Sequence, residues 1–243
     1  MKTRNILVAT LTGTLLTSCL KDGIDPPNTA PGSSLEVRFD LHCDGHPFSP
    51  DSLYADGFGT LVRIERFRLA LAGATLLSDA GQPMGAWPDQ VMLIDLTRQD
   101  RRFSLPNPSS GEAHWLESRM LQSAYRIPGA DSLWFEDASG SYQAMLDIGG
   151  TMDSNDDGRI DSTDGRFRIV AAADPNEPAL LIHAHASVPL NGSAVMMVPV
   201  NLRAVLHDID LPDEPCTMGQ GIYAAQALEN LRARVLGDDN KPR

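Results

Sequence analysis

Basic residues are scarce in this sequence: 20 lysines and arginines stand against 32 aspartates and glutamates, a formal charge of −12 over 243 residues. A chain so acidic excludes a nucleic-acid partner, which needs a basic face, and broad contact with anionic lipid. It leaves a solvated surface, a cationic partner or bound metal cations. Catalytic signatures are missing too. There is no Gly-x-Ser-x-Gly elbow, no phosphate loop, no His-Glu-x-x-His and no Cys-x-x-Cys, so the chain reads as non-enzymatic. No internal repeat occurs. Cysteine is reduced to Cys19, Cys43 and Cys216.

The only long apolar run lies at the start, MKTRNILVATLTGTLLTSC. Lys2 and Arg4 precede it, and it is too short and too rich in Thr to remain as a membrane span. Residues 1–18 read as a signal peptide. Leu16-Thr17-Ser18-Cys19 matches a lipobox, the cleavage and lipidation site of bacterial lipoproteins. Cleavage there leaves 18 basic against 32 acidic residues, a formal charge of −14, with a lipid on Cys19 as the link to the membrane. Leu20, where an Asp would favour inner-membrane retention, points to an outer-membrane lipoprotein, periplasmic or surface-exposed. Residues 19–34, rich in Pro, Gly and Asp, read as a flexible tether. In an oxidising envelope, Cys43 and Cys216 are expected to form a disulfide.

Residues 35–243 read as one all-β domain, an antiparallel, Greek-key-like β-sandwich with a C-terminal helix. In SLEVRFDLHC, Leu35, Val37, Phe39 and Leu41 alternate with Glu36, Arg38, Asp40 and His42, the period of a strand with one wet face. TLVRIERFRLALAG repeats the pattern with a phase slip at Glu65-Arg66, which predicts a bulge. QVMLIDL, SYQAMLDI, RFRIVAAA, ALLIHAHASV and VNLRAVLHDI add five strand candidates. GIYAAQALENLRARVLG has helical spacing through Ile222, Ala225, Leu228, Leu231 and Val235.

DSNDDGRIDSTD, residues 153–164, follows the twelve-position calcium scheme. Asp153, Asn155 and Asp157 occupy positions 1, 3 and 5. Gly158 permits the sharp turn, and Arg159 offers its carbonyl. Asp161 reaches through water, and Asp164 closes the site. The string also resembles a dockerin loop, but there is one loop where dockerins have two, and its flanks read as strands. A structural rivet is therefore expected, rather than a sensor that opens a helix pair.

Six histidines are present. His183 and His185 share one face of the LLIHAHASV strand, and two imidazoles so spaced can hold one copper or zinc ion. His42, His207 and His114 are the candidates for a third ligand. The Met196-Met197 pair reads as core.

LEVRFDLHCDGHPF, Tyr54, GTLVRIERFRLALAGATLLSDAGQPM, MLIDL and AQALENLRARVL resemble the MbnP-like domain family of bacterial copper-binding periplasmic proteins and lipoproteins. The resemblance covers residues 35–96 and 195–236. It implies a sandwich fold, copper held by the His183-x-His185 pair with His42 and His207 beside it, and a di-haem redox partner. The family's Met-Trp-x-Trp-like segment, the seat of its kynurenine, has no counterpart here. Trp87, Trp115 and Trp134 lie in other contexts. Two functions follow as expectations. One is a lipid-anchored envelope metal-binding protein with structural calcium and a copper site. The other is a calcium-stabilised surface interaction or adhesion module without copper.

Overall fold

Apolar–polar alternation in the sequence becomes sheet faces in the structure. The computed structural model describes residues 32–97, 101–119, 134–137, 140–172, 179–213, 215–219 and 221–235. Cys19, the signal segment and nearly all of the tether lie outside the described residues. The strands are β1 (Ser34–Cys43), β2 (His46–Pro47), β3 (Tyr54–Ala55), β4 (Leu61–Ser78), β5 (Pro83–Asp95), β6 (Arg102–Pro106) and β7 (Gly111–Arg119). After them come β8 (Trp134–Asp137), β9 (Gly140–Gln143), β10 (Leu146–Met152), β11 (Gly165–Ala171), β12 (Leu180–Val188), β13 (Ser193–Asn201) and β14 (Cys216–Gly219). Helix α1 (Leu202–Val205) follows β13, and α2 (Ile222–Asn230) runs into a single π turn, Leu231–Val235.

Two sheets make the sandwich. The first has β1 between β13 and β6, with β2 folded onto its end. The second runs β12-β7-β4-β10-β11-β14, with β3 and β5 along the other side of β4. Both sheets are mixed rather than purely antiparallel, since β1 pairs β13 in parallel and β11 pairs β14 in parallel. Parallel neighbours need long crossovers instead of hairpins. Nothing local in the sequence marks such a pair.

Leu35, Val37, Phe39 and Leu41 turn inward from β1, as alternation predicts, and meet Val62, Ile64, Phe67, Leu69 and Leu71 of β4 in one core. Burying each such side chain contributes about 1.5–3 kcal/mol. The bulge also stands where the phase slip puts it: Gly149 pairs Arg66 and Gly150 pairs Ile64, so Glu65 drops out of register. That extra residue lets Ile64 and Phe67 both face the core despite their spacing.

Three sequence expectations change. VNLRAVLHDI ends β13 and then coils into α1, because Leu202, Val205 and Leu206 all pack inward, which a period of two cannot do. Helix α2 buries Ala224, Ala227, Leu228 and Asn230 and leaves Ile222 79 % exposed, so its inner stripe is rotated from the one read from Ile222 and Ala225. Alanines there allow close approach, and the Asn230 amide donates to the carbonyls of Val205 and His207, tying α2 to the α1 turn. Met196 is core, whereas Met197 faces out, 49 % exposed, as strand alternation requires.

Candidate functional site

The acidic loop joins β10 to β11 as the tip of a hairpin, so its flanks are strands. Met152 ends the buried strand, and the Asp153 N–H donates to the Leu61 carbonyl at 2.9 Å, anchoring the loop to β4. Beyond it the side chains cap the loop's own backbone. Asp153, itself buried, accepts from the Asp157 N–H at 3.2 Å and the Gly158 N–H at 2.8 Å. Asn155 accepts from Asp157 N–H at 3.0 Å, and Asp157 from Arg159 N–H at 2.9 Å. Asp161 accepts from the N–H and hydroxyl of Thr163, and these two bonds hold its carboxyl below the usual range. Asp164 closes the ring from the far end, accepting from Ser154 N–H at 3.2 Å and Asp161 N–H at 2.6 Å. Gly158 sits at φ +79°, where only glycine is unstrained.

A carboxylate oxygen that accepts one N–H keeps a second lone pair. The donor set therefore fits a hard, oxygen-seeking cation such as calcium. Among the described residues no three Asp, Glu, His or Cys side chains already stand gathered around one point. An ion would have to draw the carboxylates of this loop together.

The four histidines expected to share copper do not assemble. His183 and His185 project from the exposed face of β12 in the second sheet. His42 lies at the end of β1 in the first sheet, and His207 follows α1. His207 Nδ1 meets its neighbour Asp208 at 2.9 Å, and the His42 ring accepts from the Gly45 N–H at 3.4 Å. What does meet His185 comes from β7. Its Nε2 lies 2.9 Å from Glu112, and its ring stands edge-on to His114 with centroids 4.9 Å apart. His183 packs on Trp115 at 4.8 Å. The Glu112 carboxyl is held low first by the Ser187 hydroxyl and then by His185 and His114. His114 was a candidate third ligand, but its partnership with Glu112 was not foreseen because GEAHWLESR was not taken as a strand. As one, its period places them on a common face.

The expected disulfide is absent, and Cys43 and Cys216 are free thiols. Cys43 pairs with His46 at the end of β1, near Tyr54 and the Arg203 backbone, and burial pushes its thiol up to about 11. Cys216 opens β14, held opposite Arg168 on the edge of the second sheet. Each cysteine is fixed by its own sheet among different neighbours.

A polar network covers the outer face of β10. Asp147 is fully buried beneath Arg168, Arg66 and Arg68. Glu65, displaced by the bulge, accepts from Arg63 at 2.8 Å, Thr151 at 2.9 Å and Arg166 at 3.4 Å. Burial alone would raise the Glu65 carboxyl; the bonds from Arg63 and Thr151 and the Arg166 charge outweigh it and hold it low. A cleft of about 340 Å³ opens here, walled by Glu65, Arg66, Arg166, Arg168 and Cys216.

No described helix is long and apolar enough to cross a membrane. Compared with known protein families, with curated proteins and with solved structures, the chain matches none of them.

Proposed function

We propose that this chain is a lipid-anchored, cell-envelope β-sandwich that binds rather than catalyses, with its β10–β11 hairpin held by one calcium ion. The observation that carries the reading is the Asp153–Asp164 loop, whose five side chains at positions 1, 3, 5, 9 and 12 all cap the loop's backbone. Such capping pre-shapes the loop, so an ion has only to draw its carboxylates together. Strands on both sides leave no helix pair to swing open, which supports a rivet over a switch. The lipobox at Cys19 supports the anchor, and an outer-membrane position follows from the residue after it.

The test is calcium-dependent stability. A site of Kd about 10⁻⁴–10⁻³ M at ~10 mM calcium stabilises by about 1.4–2.7 kcal/mol. That corresponds to a melting rise of about 3–10 °C for a domain of this size. Asp157→Ala should abolish the rise while leaving the calcium-free melting point nearly unchanged. A chelated protein that calcium does not stabilise, or a variant that responds equally, would sink the reading.

A copper reading, with the di-haem partner that family resemblance implies, rests on a different observation: His185 stands against His114 and Glu112. In that reading β7, not His42 or His207, supplies the partners of the His183-x-His185 pair. One copper retained through dialysis and lost in His114→Ala and His185→Ala would support it. Copper that washes out of the parent chain would leave the calcium-stabilised interaction module standing alone.

A further inference from the structure

The chain enters the sandwich through an end built of uncharged loops. Gly32 is the first described residue. The Ser33 hydroxyl reaches the carbonyls of Pro189 and Leu190 at 2.8 and 2.9 Å, and the Ser34 N–H donates to that of Gly192 at 2.8 Å. On the other side, the Asn107 N–H donates to the Ser33 carbonyl at 2.8 Å. Residues 32–34, 106–111 and 189–193, which these bonds gather, read GSS, PNPSSG and PLNGS, with no charged side chain. Asp79, in the β4–β5 turn beside β7, brings one negative charge. Glu36 is engaged by Arg38, and Glu112 by Ser187 and His185.

The opposite end carries the acid. Strand β1 runs from Ser34 to Cys43, a length of ~30 Å. Beyond Cys43, Asp44 pairs with Arg203, whose Nε donates to the Ala55 carbonyl at 2.6 Å. Ala55 pairs with Leu61, and the Leu61 carbonyl accepts from the Asp153 N–H at 2.9 Å. The loop that starts there holds Asp153, Asp156, Asp157, Asp161 and Asp164.

Exposed apolar side chains divide along the same axis. Leu190, at the tip of the β12–β13 hairpin, is 75 % exposed, and Val195 and Met197 continue from it on the outer face of β13. Leu53 and Phe58, also exposed, flank β3 at the acidic end. A single exposed leucine needs no explanation. Leu190 stands out by its place, bonded through its carbonyl to the segment that leads back to Cys19.

We propose that this uncharged end is a membrane-contact face. It seats on the bilayer that holds the Cys19 lipid, with Leu190 pressed among the headgroups and Val195 and Met197 at the rim. The inference rests on the lipid anchor proposed above. Residues 20–31 lie between Cys19 and the sandwich, and a chain of that length reaches ~20 Å on average. That is shorter than β1, so the entry end stays near the surface and the acidic end touches it only by folding back. Folding back would set the carboxylates of the acidic loop against anionic headgroups, which repel them. The anchor makes the contact intramolecular, so one leucine is enough where it would not hold a free domain.

The test is fluorescence quenching of the acylated full chain in vesicles of phosphatidylethanolamine and phosphatidylglycerol that contain a nitroxide lipid. A dye is attached at Asn191→Cys or, separately, at Ser162→Cys in the acidic loop, with Cys216→Ser in both so that buried Cys43 is the only other thiol. Strong quenching at 191 and little at 162 is expected. Leu190→Asp should lower the ratio of seated to free domain about tenfold, the loss of one buried leucine, and bring quenching at 191 down toward that at 162. Equal quenching at both positions, or none at either, would overturn the proposal while leaving the anchor intact. Energy transfer between dyes at 191 on neighbouring chains, without lipid quenching, would give the face to a second copy and overturn it too. Intact mass is measured first, and a chain with no acyl groups on Cys19 would overturn the anchor and this orientation together.

Discussion

Asp147, fully buried on β10, accepts a hydrogen bond at 3.0 Å on each carboxylate oxygen from the Arg168 guanidinium of β11. The same carboxylate draws Arg66 and Arg68 from β4, so one negative charge ties three strands together. The Arg168 guanidinium is pushed upward first by this bond, so it stays charged at all ordinary pH. The two ends of the pair are not equivalent. Asp147→Asn leaves three guanidiniums around a neutral acceptor and should cost about 2–3 kcal/mol. Arg168→Gln leaves Asp147 with Arg66 and Arg68 and should cost only about 1 kcal/mol. Urea denaturation of both variants checks the order, and equal costs would refute the shared role of the carboxylate.

The bulge makes a second, steric prediction. A Cβ on Gly150 would lie 1.9 Å from the Arg63 carbonyl oxygen, so Gly150→Ala must push β4 and β10 apart. We expect a loss above about 3 kcal/mol. Gly158→Ala meets no atom but inherits φ +79°, and should cost only about 1–2 kcal/mol. Thermal melting of the two variants without calcium separates contact from conformation.

The thiols distinguish the observed arrangement from a disulfide. In a Cys19→Ser chain, native alkylation at pH 8 should modify Cys216, which is exposed. It should spare Cys43, which is buried and raised to about 11. Both should react after denaturation without reductant. Peptide mapping that finds neither thiol alkylated until a reductant is added would mean that the bridge exists after all.

Acid should loosen the sandwich through Asp95. Burial would raise this carboxyl, but the N–H and hydroxyl of Thr97 and the charge and hydrogen bond of Arg68 outweigh it and hold it low. A carboxyl lower in the folded than in the unfolded chain, where it titrates near ~3.9, stabilises fully above that value. The contribution is lost as pH falls through the lower folded value. Asp95→Asn should therefore be less stable than the parent at pH 7 and show a shallower decline in denaturant midpoint below pH 4. Parallel declines would assign the acid sensitivity to other carboxylates.

Some of this was legible residue by residue. Period-two alternation in LEVRFDLHC and ALLIHAHASV announced which side chains face the core, because one buried face leaves a strand no other register. The slip at Glu65-Arg66 announced a bulge for the same reason. The spacing of Asp153, Asn155, Asp157, Asp161 and Asp164 announced a tight acidic loop, and the structure adds that these side chains cap its own backbone through contacts spanning at most ten residues. The stripe of α2 was misplaced because alanines score weakly in any apolar pattern, yet here Ala224 and Ala227 are on the buried side.

What the chain could not disclose locally is every relationship between distant strands. Whether Cys43 meets Cys216, or His185 meets His114 rather than His207, depends on which strands pair, and the periodicity of one strand is silent about its neighbour. Arg66 and Arg168, 102 positions apart, flank Gly149 only because β4 and β11 both pair with β10. The sequence by itself determined strands, faces, a bulge and an acidic loop, all properties of short-range sterics and burial. Only tertiary structure decided the charge pattern on the outer face, because that pattern is a sum over strands brought together by the core on the other side.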